Sequence, residues 1–171
     1  MNGLLAAKLA CAEKIIALDI TDHKLALARQ LGATHTVNAL DDNHVEQIKD
    51  ITNGGVDYAF EFSGTVAATE TCYKSICMGG EVLIVGLSPS NSLFSFNPSD
   101  IVNSEKAIRG SYMGSCVPVR DIPRYIELYR QGKLAVDKLI NKSIGFDSIN
   151  EGFDQLTDGL VIRQILEPHR L

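Results

Sequence analysis

Short apolar runs alternate along this chain with segments whose apolar residues recur every three or four positions. A short apolar run predicts a buried strand, and the wider spacing predicts a helix with one apolar face. The predicted strands of this series are 14–19, 35–38, 56–62, 81–86 and 107–113. Strands that alternate with helices of about 10 residues indicate parallel crossovers and therefore an open α/β sheet.

The predicted helices are bounded by recognisable cap and turn residues. Asp22 is placed to cap the helix 23–31, and Gly32 lies where a left-handed C-cap belongs. Gly79 and Gly80 are expected to close the next long helix, 65–76, and Pro123 lies in the first turn of a helix that begins at Asp121. The other predicted helices are 4–12, one around 45–51, 99–104 and 150–157.

The alternating order ends near residue 132. The last part has a strand at 139–146, a helix at 150–157 and a strand at 161–167. We therefore expect two parts, 1–132 and 133–171, of which the second is a small separate element. A length of 171 residues fits one domain with a small surplus.

Composition and charge narrow the class of protein. Hydrophobic residues make up 45% and charged residues 22%, which is typical of a soluble globular chain. The net charge is −5 and no basic block occurs, so we expect no nucleic-acid partner and no anionic membrane surface. No apolar run approaches the roughly 20 residues that span a bilayer.

The four cysteines are expected to be free thiols. Cys11, Cys72, Cys77 and Cys116 form no C-x-x-C pair and have no histidine at ligand spacing. Free thiols, together with a start that does not resemble a secretory signal, favour a cytoplasmic location. A structural zinc site is the alternative. The four histidines are scattered, and none is assigned a catalytic role.

Asp19 is the residue with the clearest candidate chemistry. It ends an apolar strand and precedes a capped helix, which is where a dinucleotide-binding fold meets the adenosine ribose. A carboxylate there binds the ribose hydroxyls and repels a 2′-phosphate, which favours NAD over NADP. The alternative is an aspartate that only ends a strand. Lys24 could reach the same ribose or a phosphate, or be a solvated surface lysine.

The glycine-rich loop that normally precedes such an acid is absent. Gly3 is the only glycine before Gly32, so no G-x-G-x-x-G occurs about 20 residues before Asp19. Either the cofactor interpretation is wrong or the chain starts just after the loop. Gly64 and Gly86 follow two predicted strands, where glycine allows the backbone to approach a flat ring.

Six segments together resemble the C-terminal half of the zinc-containing, medium-chain alcohol dehydrogenases. The resemblance is strongest to the subgroup that includes the glutathione-dependent formaldehyde dehydrogenases. It covers nearly the whole chain, in the order and spacing of that family. The segments are AAKLACAEKIIALDITDHKLALARQLGATHTVN, NGGVDYAFEFSG, GGEVLIVGL, SEKAIRGSYMGS, RDIPRYIELYRQGKL and INEGFDQLTDGLVIRQIL.

The resemblance implies a fold and a set of cofactor-binding residues. The fold is a doubly wound parallel Rossmann-type sheet without its first strand, followed by a segment that returns to the catalytic domain. Asp19 and Lys24 would bind the adenosine ribose, and Ser63 would lie beside them. Arg163 would face the pyrophosphate. The residues implied near the nicotinamide are Val85, Gly86, Leu87, Ser111 and Met113.

The resemblance also implies an activity. It is hydride transfer between an alcohol, or an aldehyde adduct, and NAD, in an enzyme that uses zinc and forms homo-oligomers. In this family the zinc ligands lie in the N-terminal half, so we expect the chain alone to be inactive and its cysteines to bind no zinc. The alternatives are a non-catalytic nucleotide-binding or interaction module and, less in keeping with the later segments, a methyltransferase-like fold.

A missing first strand would leave a gap in the sheet. The strand order of such a fold is 3-2-1-4-5-6, so the first strand lies between the strands predicted at 14–19 and 56–62. We therefore expect those two strands either to stand apart or to close on each other with altered packing. In both cases the isolated chain should be only marginally stable.

Overall fold

The computed structural model describes residues 1–169. The helices are α1 (Asn2–Leu9), α2 (Asp22–Leu31), α3 (His44–Thr52), α4 (Val66–Ser75), α5 (Pro98–Ser104), α6 (Pro118–Arg130) and α7 (Ile149–Thr157). The strands are β1 (Ile16–Asp19), β2 (His35–Asn38), β3 (Val56–Glu61), β4 (Ile76–Ile84), β5 (Ala107–Gly110), β6 (Ile140–Ile144) and β7 (Arg163–Leu166).

Two compact units make up the chain. The first combines Met1–Ala12 with the chain from Ile122 onward, and the second is Glu13–Asp121. The second unit contains the alternating strands and helices up to β5. The first contains α1, most of α6 and the elements that follow it.

The second unit holds two parallel sheets. One is β1-β2, and the other has the order β3-β4-β5. The predicted parallel α/β class is therefore confirmed. Of the two expected arrangements of β1 and β3, pairing with each other is not observed, because no ladder joins them among the described residues.

Helix α2 crosses between β1 and β2 and covers both strands. It buries Leu25, Ala28 and Leu31, which recur every three residues and so form one face. Gly32 ends the helix in the predicted left-handed conformation, with φ of 117°. Its N–H donates to the Ala28 and Arg29 carbonyls, which closes the last turn.

The two glycines expected to close α4 instead lie inside β4. Helix α4 ends at Ser75, and the strand begins at once at Ile76. The register with β3 then shifts, because Val56 pairs with Ile76 while Tyr58 pairs with Glu81. Gly79, with φ of 73°, therefore belongs to a bulge in the strand rather than to a helix cap.

The core of the second unit lies between β3, β4 and α4. Its buried members are Ala59, Tyr73, Ile76 and Val82. The loop after β4 contributes Phe94, whose ring meets the Tyr73 ring edge-on at a centroid distance of 5.7 Å. The aromatic side chain thus fastens this loop to the sheet.

A hydrogen bond also holds the loop after β4 where it runs into α5. The Tyr73 hydroxyl donates to Asp100 Oδ2 at 2.7 Å, and Lys106 Nζ lies 3.4 Å from the same oxygen. Burial of the ring, and then the hydrogen bond to Asp100, raise the pKa of Tyr73 to about 12. The hydrogen bond from Tyr73 is also the main cause that lowers the pKa of Asp100.

We expect Tyr73→Phe to lower the free energy of unfolding by about 1 kcal/mol, the net value of one hydrogen bond. The ring stays, so only the bond to Asp100 is lost. Tyr58→Phe is the matched control, because Tyr58 is 62% exposed while Tyr73 is 7% exposed. Urea denaturation followed by circular dichroism measures both. Equal midpoints for the two variants would contradict the role given to this bond.

Helix α6 begins three residues earlier than its pattern predicts. It starts at Pro118, so Pro123 lies inside the helix rather than in its first turn. Asp121 is buried and accepts a hydrogen bond from the Val117 N–H through Oδ2, at 2.8 Å. The acid therefore reaches back to satisfy the N-terminus from within the helix instead of preceding it.

The first unit contains a parallel pair, β6-β7, with α7 between the strands in sequence. The Gln164 amide on β7 donates to Gln155 Oε1 on α7 at 3.0 Å, which joins helix and strand. In the whole described chain, no helix combines the length and apolar character needed to cross a membrane.

Candidate functional site

The carboxyl ends of β3, β4 and β5 meet at one edge of the three-stranded sheet. The Glu61 carbonyl accepts hydrogen bonds from the N–H groups of Val85 (2.9 Å) and Gly86 (3.0 Å). On the other side of β4, the Ser111 N–H donates to the Ile84 carbonyl at 2.9 Å. Because ligands of open parallel sheets bind outside the carboxyl ends of the strands, this edge is the candidate site.

The turn after β3 is organised by the side chain of Glu61. This carboxylate is almost completely buried, with 1% exposure. Its Oε1 accepts three hydrogen bonds, from the Ser63 N–H at 2.6 Å, the Ser63 hydroxyl at 2.6 Å and the Gly64 N–H at 2.8 Å. Thr65 then caps α4 by accepting from the Ala68 N–H at 3.2 Å. Glu61 therefore fixes the turn after the strand, and Thr65 fixes the start of the helix that follows it.

Two glycines allow the turn after β3 to touch the turn after β4. A Cβ on Gly86 would collide with Gly64 N and would lie 2.6 Å from Glu61 Oε2. Gly64 has φ of 71° and its own Cβ would meet the backbone of Leu87. Glycine at both positions is thus required by direct backbone contact, and it brings Gly86 next to the buried carboxylate.

The second oxygen of Glu61 is buried without a described partner. Glu61 Oε2 has no hydrogen bond to any residue of the described chain. Burial, and in addition the negative charge of Glu61, raise the pKa of the Cys72 thiol to about 11. Cys72 therefore stays a protonated, unreactive thiol at neutral pH.

Asp19 and Lys24 lie at the end of the other sheet. Asp19 ends β1 and is half-buried, and its Oδ1 accepts from the Thr21 N–H at 3.0 Å. Asp19 Oδ2 accepts no hydrogen bond from a described residue. Lys24 lies in the first turn of α2, and no ion pair joins it to Asp19 within residues 1–169. One oxygen of this carboxylate is thus without a hydrogen-bond partner among the described residues.

Ser111 and Met113 follow the end of β5. The predicted strand 107–113 stops at Gly110, so Met113 lies outside it, in a short 3-10 turn with φ of 49°. Met113 is 70% exposed. The Ser111 and Ser115 hydroxyls lie 3.2 Å apart, which joins the strand end to that turn.

The predicted residues do not all gather in one place. Ser63, Val85, Gly86, Leu87 and Ser111 are brought together at the ends of β3, β4 and β5. Asp19 and Lys24 belong to the neighbouring sheet of the same unit.

Arg163 belongs to the other compact unit. It opens β7 with an exposed side chain, and its N–H donates to Asn141 Oδ1 at 3.1 Å. Its role at a pyrophosphate stays a prediction.

Glu61 is the residue that sequence reasoning left without a role. It ends a strand as an acid, which is the same pattern that singled out Asp19. The Ser-Gly turn that follows two residues later is the signal that could have distinguished it, because such a turn exposes N–H groups that need an acceptor.

The cysteines and other metal-binding side chains do not assemble. All four cysteines are free thiols, and Cys11 is exposed. No group of three or more His, Cys, Asp or Glu residues within the described part of the chain could hold a metal ion.

Known proteins match this chain in sequence and in structure. Residues 1–131 match the family model described as zinc-binding dehydrogenase. Alcohol dehydrogenase 1 of Trifolium repens is 33% identical over 163 residues, and alcohol dehydrogenase 2 of Oryza sativa subsp. japonica is 32% identical. Both alignments cover 94% of this chain but only 43% of the relative, so the chain spans less than half the length of these relatives.

Solved structures agree with that assignment. Benzyl alcohol dehydrogenase from Acinetobacter calcoaceticus is 36% identical with a TM-score of 0.91, covering 95% of this chain and 45% of that protein. An alcohol dehydrogenase zinc-binding domain protein from Burkholderia ambifaria is 34% identical with a TM-score of 0.92, covering 97% and 45%. The family predicted from the sequence is confirmed: this chain belongs to the zinc-binding dehydrogenases and matches the Rossmann-type half of their alcohol dehydrogenases.

Proposed function

We propose that this chain is the NAD-binding half of an alcohol dehydrogenase. The complete enzyme would transfer a hydride between an alcohol, or an aldehyde adduct, and the nicotinamide. The family supports this proposal, and the observation that carries it is the Asp19 carboxylate, which ends a parallel strand with one oxygen unclaimed by described residues.

Asp19 is proposed to select the cofactor. Its Oδ1 is fixed by the Thr21 N–H, so the carboxylate is oriented before a ligand arrives. A carboxylate accepts hydrogen bonds from the two hydroxyls of a ribose and repels a 2′-phosphate. NAD has those hydroxyls, whereas NADP carries the phosphate. Lys24, one turn into α2, is proposed to support the same ribose.

The ends of β3, β4 and β5 are proposed to hold the uncharged parts of the dinucleotide. The N–H groups of Ser63, Gly64, Val85 and Gly86 are already bonded to Glu61, so they have no donor left for a phosphate. This edge suits a ribose or a flat ring better than a pyrophosphate. In keeping with the family resemblance, we place the nicotinamide along Val85–Leu87, Ser111 and Met113.

The chemistry of the cofactor is separate from what these residues do. Bound NAD supplies the acceptor for the hydride, while the protein binds and orients it. Zinc is a proposed component of the complete enzyme, and since no described cluster could hold it, we assign it no step on this chain. From the family resemblance we also propose a small alcohol or aldehyde as substrate and a homo-oligomeric assembly. The free thiols support a proposed cytoplasmic location.

Asp19→Asn tests the proposed cofactor site. We expect the unaltered chain to bind NAD more tightly than NADP. The dissociation constant of NADP divided by that of NAD should fall about tenfold in the variant. The reason is that asparagine keeps the side-chain shape but removes the charge that repels a 2′-phosphate. Isothermal titration calorimetry with NAD and NADP measures the ratio.

Asp22→Asn is the matched control. It removes one negative charge three residues away and keeps the oxygen that accepts from Asn38 Nδ2 at 2.9 Å. The preference for NAD should persist in this variant. Equal affinities for NAD and NADP in the unaltered chain would reject the role of Asp19, and binding of neither would reject the proposed function.

A further inference from the structure

We propose that Glu61 is a buried electrostatic group that favours the oxidised over the reduced nicotinamide at this site. This inference rests on the proposed function, because it needs the nicotinamide to lie along Val85–Leu87. It adds a residue that touches no ligand and acts on the bound ring electrostatically, through the backbone of the turn after β4. It also assigns a use to the one carboxylate oxygen of that turn which has no described partner.

The hydrogen bonds of Glu61 are those of a carboxylate acceptor. Oε1 accepts from three donors, two N–H groups and one hydroxyl, all within 2.8 Å. A carboxylate is an acceptor only, and short bonds from several donors are typical of its charged form.

With three donors on Oε1, the other oxygen of this carboxylate has no donor of its own. Oε2 is buried and has no hydrogen bond to a described residue. It faces Gly86, since a Cβ built on that glycine would lie 2.6 Å away from it. The absence of a side chain on Gly86 therefore keeps the charge close to the surface of the turn after β4.

A ligand ring on that surface would experience the charge through a thin layer of backbone. The oxidised nicotinamide is a pyridinium with a positive charge, while the reduced ring is neutral. Opposite charges attract more strongly in a partly desolvated site than in water. Glu61 should therefore lower the dissociation constant of NAD⁺ without lowering that of NADH to the same extent.

Two substitutions separate the charge from the support of the turn. Glu61→Gln keeps an oxygen for the three donors and removes the charge. Glu61→Asp keeps the charge but is shorter by one methylene, so it withdraws from Ser63 and Gly64. Glu81→Gln is the matched control, because it removes a negative charge from β4 three residues before Ile84, the partner of Glu61 in the β3–β4 ladder. Glu81 is paired there with Arg109 at 2.7 Å.

The measured quantity is the dissociation constant of NADH divided by that of NAD⁺, from fluorescence of bound NADH and its displacement by NAD⁺. We expect Glu61→Gln to lower this ratio about three- to tenfold. Glu61→Asp should weaken both ligands and leave the ratio within about twofold, because the charge is retained. Glu81→Gln should change neither the affinities for the two ligands nor their ratio. An unchanged ratio in a folded Glu61→Gln chain overturns the inference.

A measurement on the unaltered chain covers the case in which Glu61→Gln does not fold. The probes are 1-methylnicotinamide, a cation, and nicotinamide, which is neutral, with binding followed by NMR. We expect the cation to bind at least about threefold more tightly. Equal binding of the two overturns the inference while NAD binding, and so the proposed function, still stands. If neither NAD⁺ nor NADH binds the unaltered chain, both fail.

Discussion

Gly55→Ala should destabilise the second unit by at least about 3 kcal/mol, which is in the range of core disruptions. The Cβ of an alanine there would lie 2.6 Å from Cys77 N and 2.8 Å from both Ile76 C and Ser75 O. All three atoms belong to backbone, so no side chain can rotate away. The backbone at Gly55 also has φ of 135°, a conformation that L-residues rarely adopt.

A substitution at the preceding residue, Gly54, separates the energetic cost of the clash from that of the backbone strain. Gly54 has nearly the same φ, 125°, but a Cβ there meets nothing within 4 Å. Gly54→Ala should therefore cost only the strain, about 1–2 kcal/mol. Urea denaturation followed by circular dichroism compares the two variants with the unaltered chain. Equal losses would show that the contact with the start of β4 has no energetic importance.

The contact of β3 with the start of β4 also explains why the end of α4 was predicted wrongly. Most of the element order was visible because strand and helix periodicity are local properties of the chain. The end of α4 was not, since Gly79 and Gly80 look like a helix cap when read alone. Their actual role in a bulge is decided by pairing with β3, about 20 residues earlier, and such pairing leaves no local mark.

The start of α6 shows a similar limit. Asp121 was expected to open the helix, because acids are common caps. In the structure it lies within the first turns and accepts from the Val117 N–H at 2.8 Å. A proline at position 118 allows the earlier start, since the first helical position needs no N–H donor. From the sequence, only Pro123 was predicted to lie in the first turn of this helix.

The residues of the candidate site also differ in how far the sequence alone could identify them. Asp19 could be found because its position after an apolar strand is a local signal. Glu61 has the same signal, but its importance depends on complete burial and on the donors of Ser63 and Gly64, which only the folded turn provides. Met113 was placed in a strand, and the left-handed turn that removes it from the strand has no apolar periodicity to reveal it.

The open strand edges give the second large expected effect, a difference in amide exchange of at least about 100-fold between strands of the second unit. The Ile15 and Asp19 carbonyls accept from the β2 side, so by alternation the N–H groups of Ile16 and Leu18 point away from β2. In β3 the Glu61 carbonyl accepts from residues directly after β4, so the N–H groups of Tyr58 and Phe60 point to the other edge.

No described strand pairs with either of these edges. Val82, by contrast, is fully buried in β4, which has a strand on each side. Hydrogen exchange read by NMR should therefore find fast amides at Ile16, Leu18, Tyr58 and Phe60, and a slow amide at Val82. The difference follows from hydrogen bonding and burial, because an edge amide needs no unfolding to meet water.

Concentration provides the control for this prediction. Unpaired edges are templates for association, and the exposed rings of Tyr58, Phe60 and Phe62 add apolar surface beside the edge of β3. We expect a marginally stable chain that self-associates as its concentration rises, with the edge amides becoming protected in parallel. Sedimentation at each concentration identifies the monomer. Slow exchange at both edges in a demonstrated monomer would mean that these strands are closed by something other than pairing between chains, and the physical argument for a gap between β1 and β3 would fail.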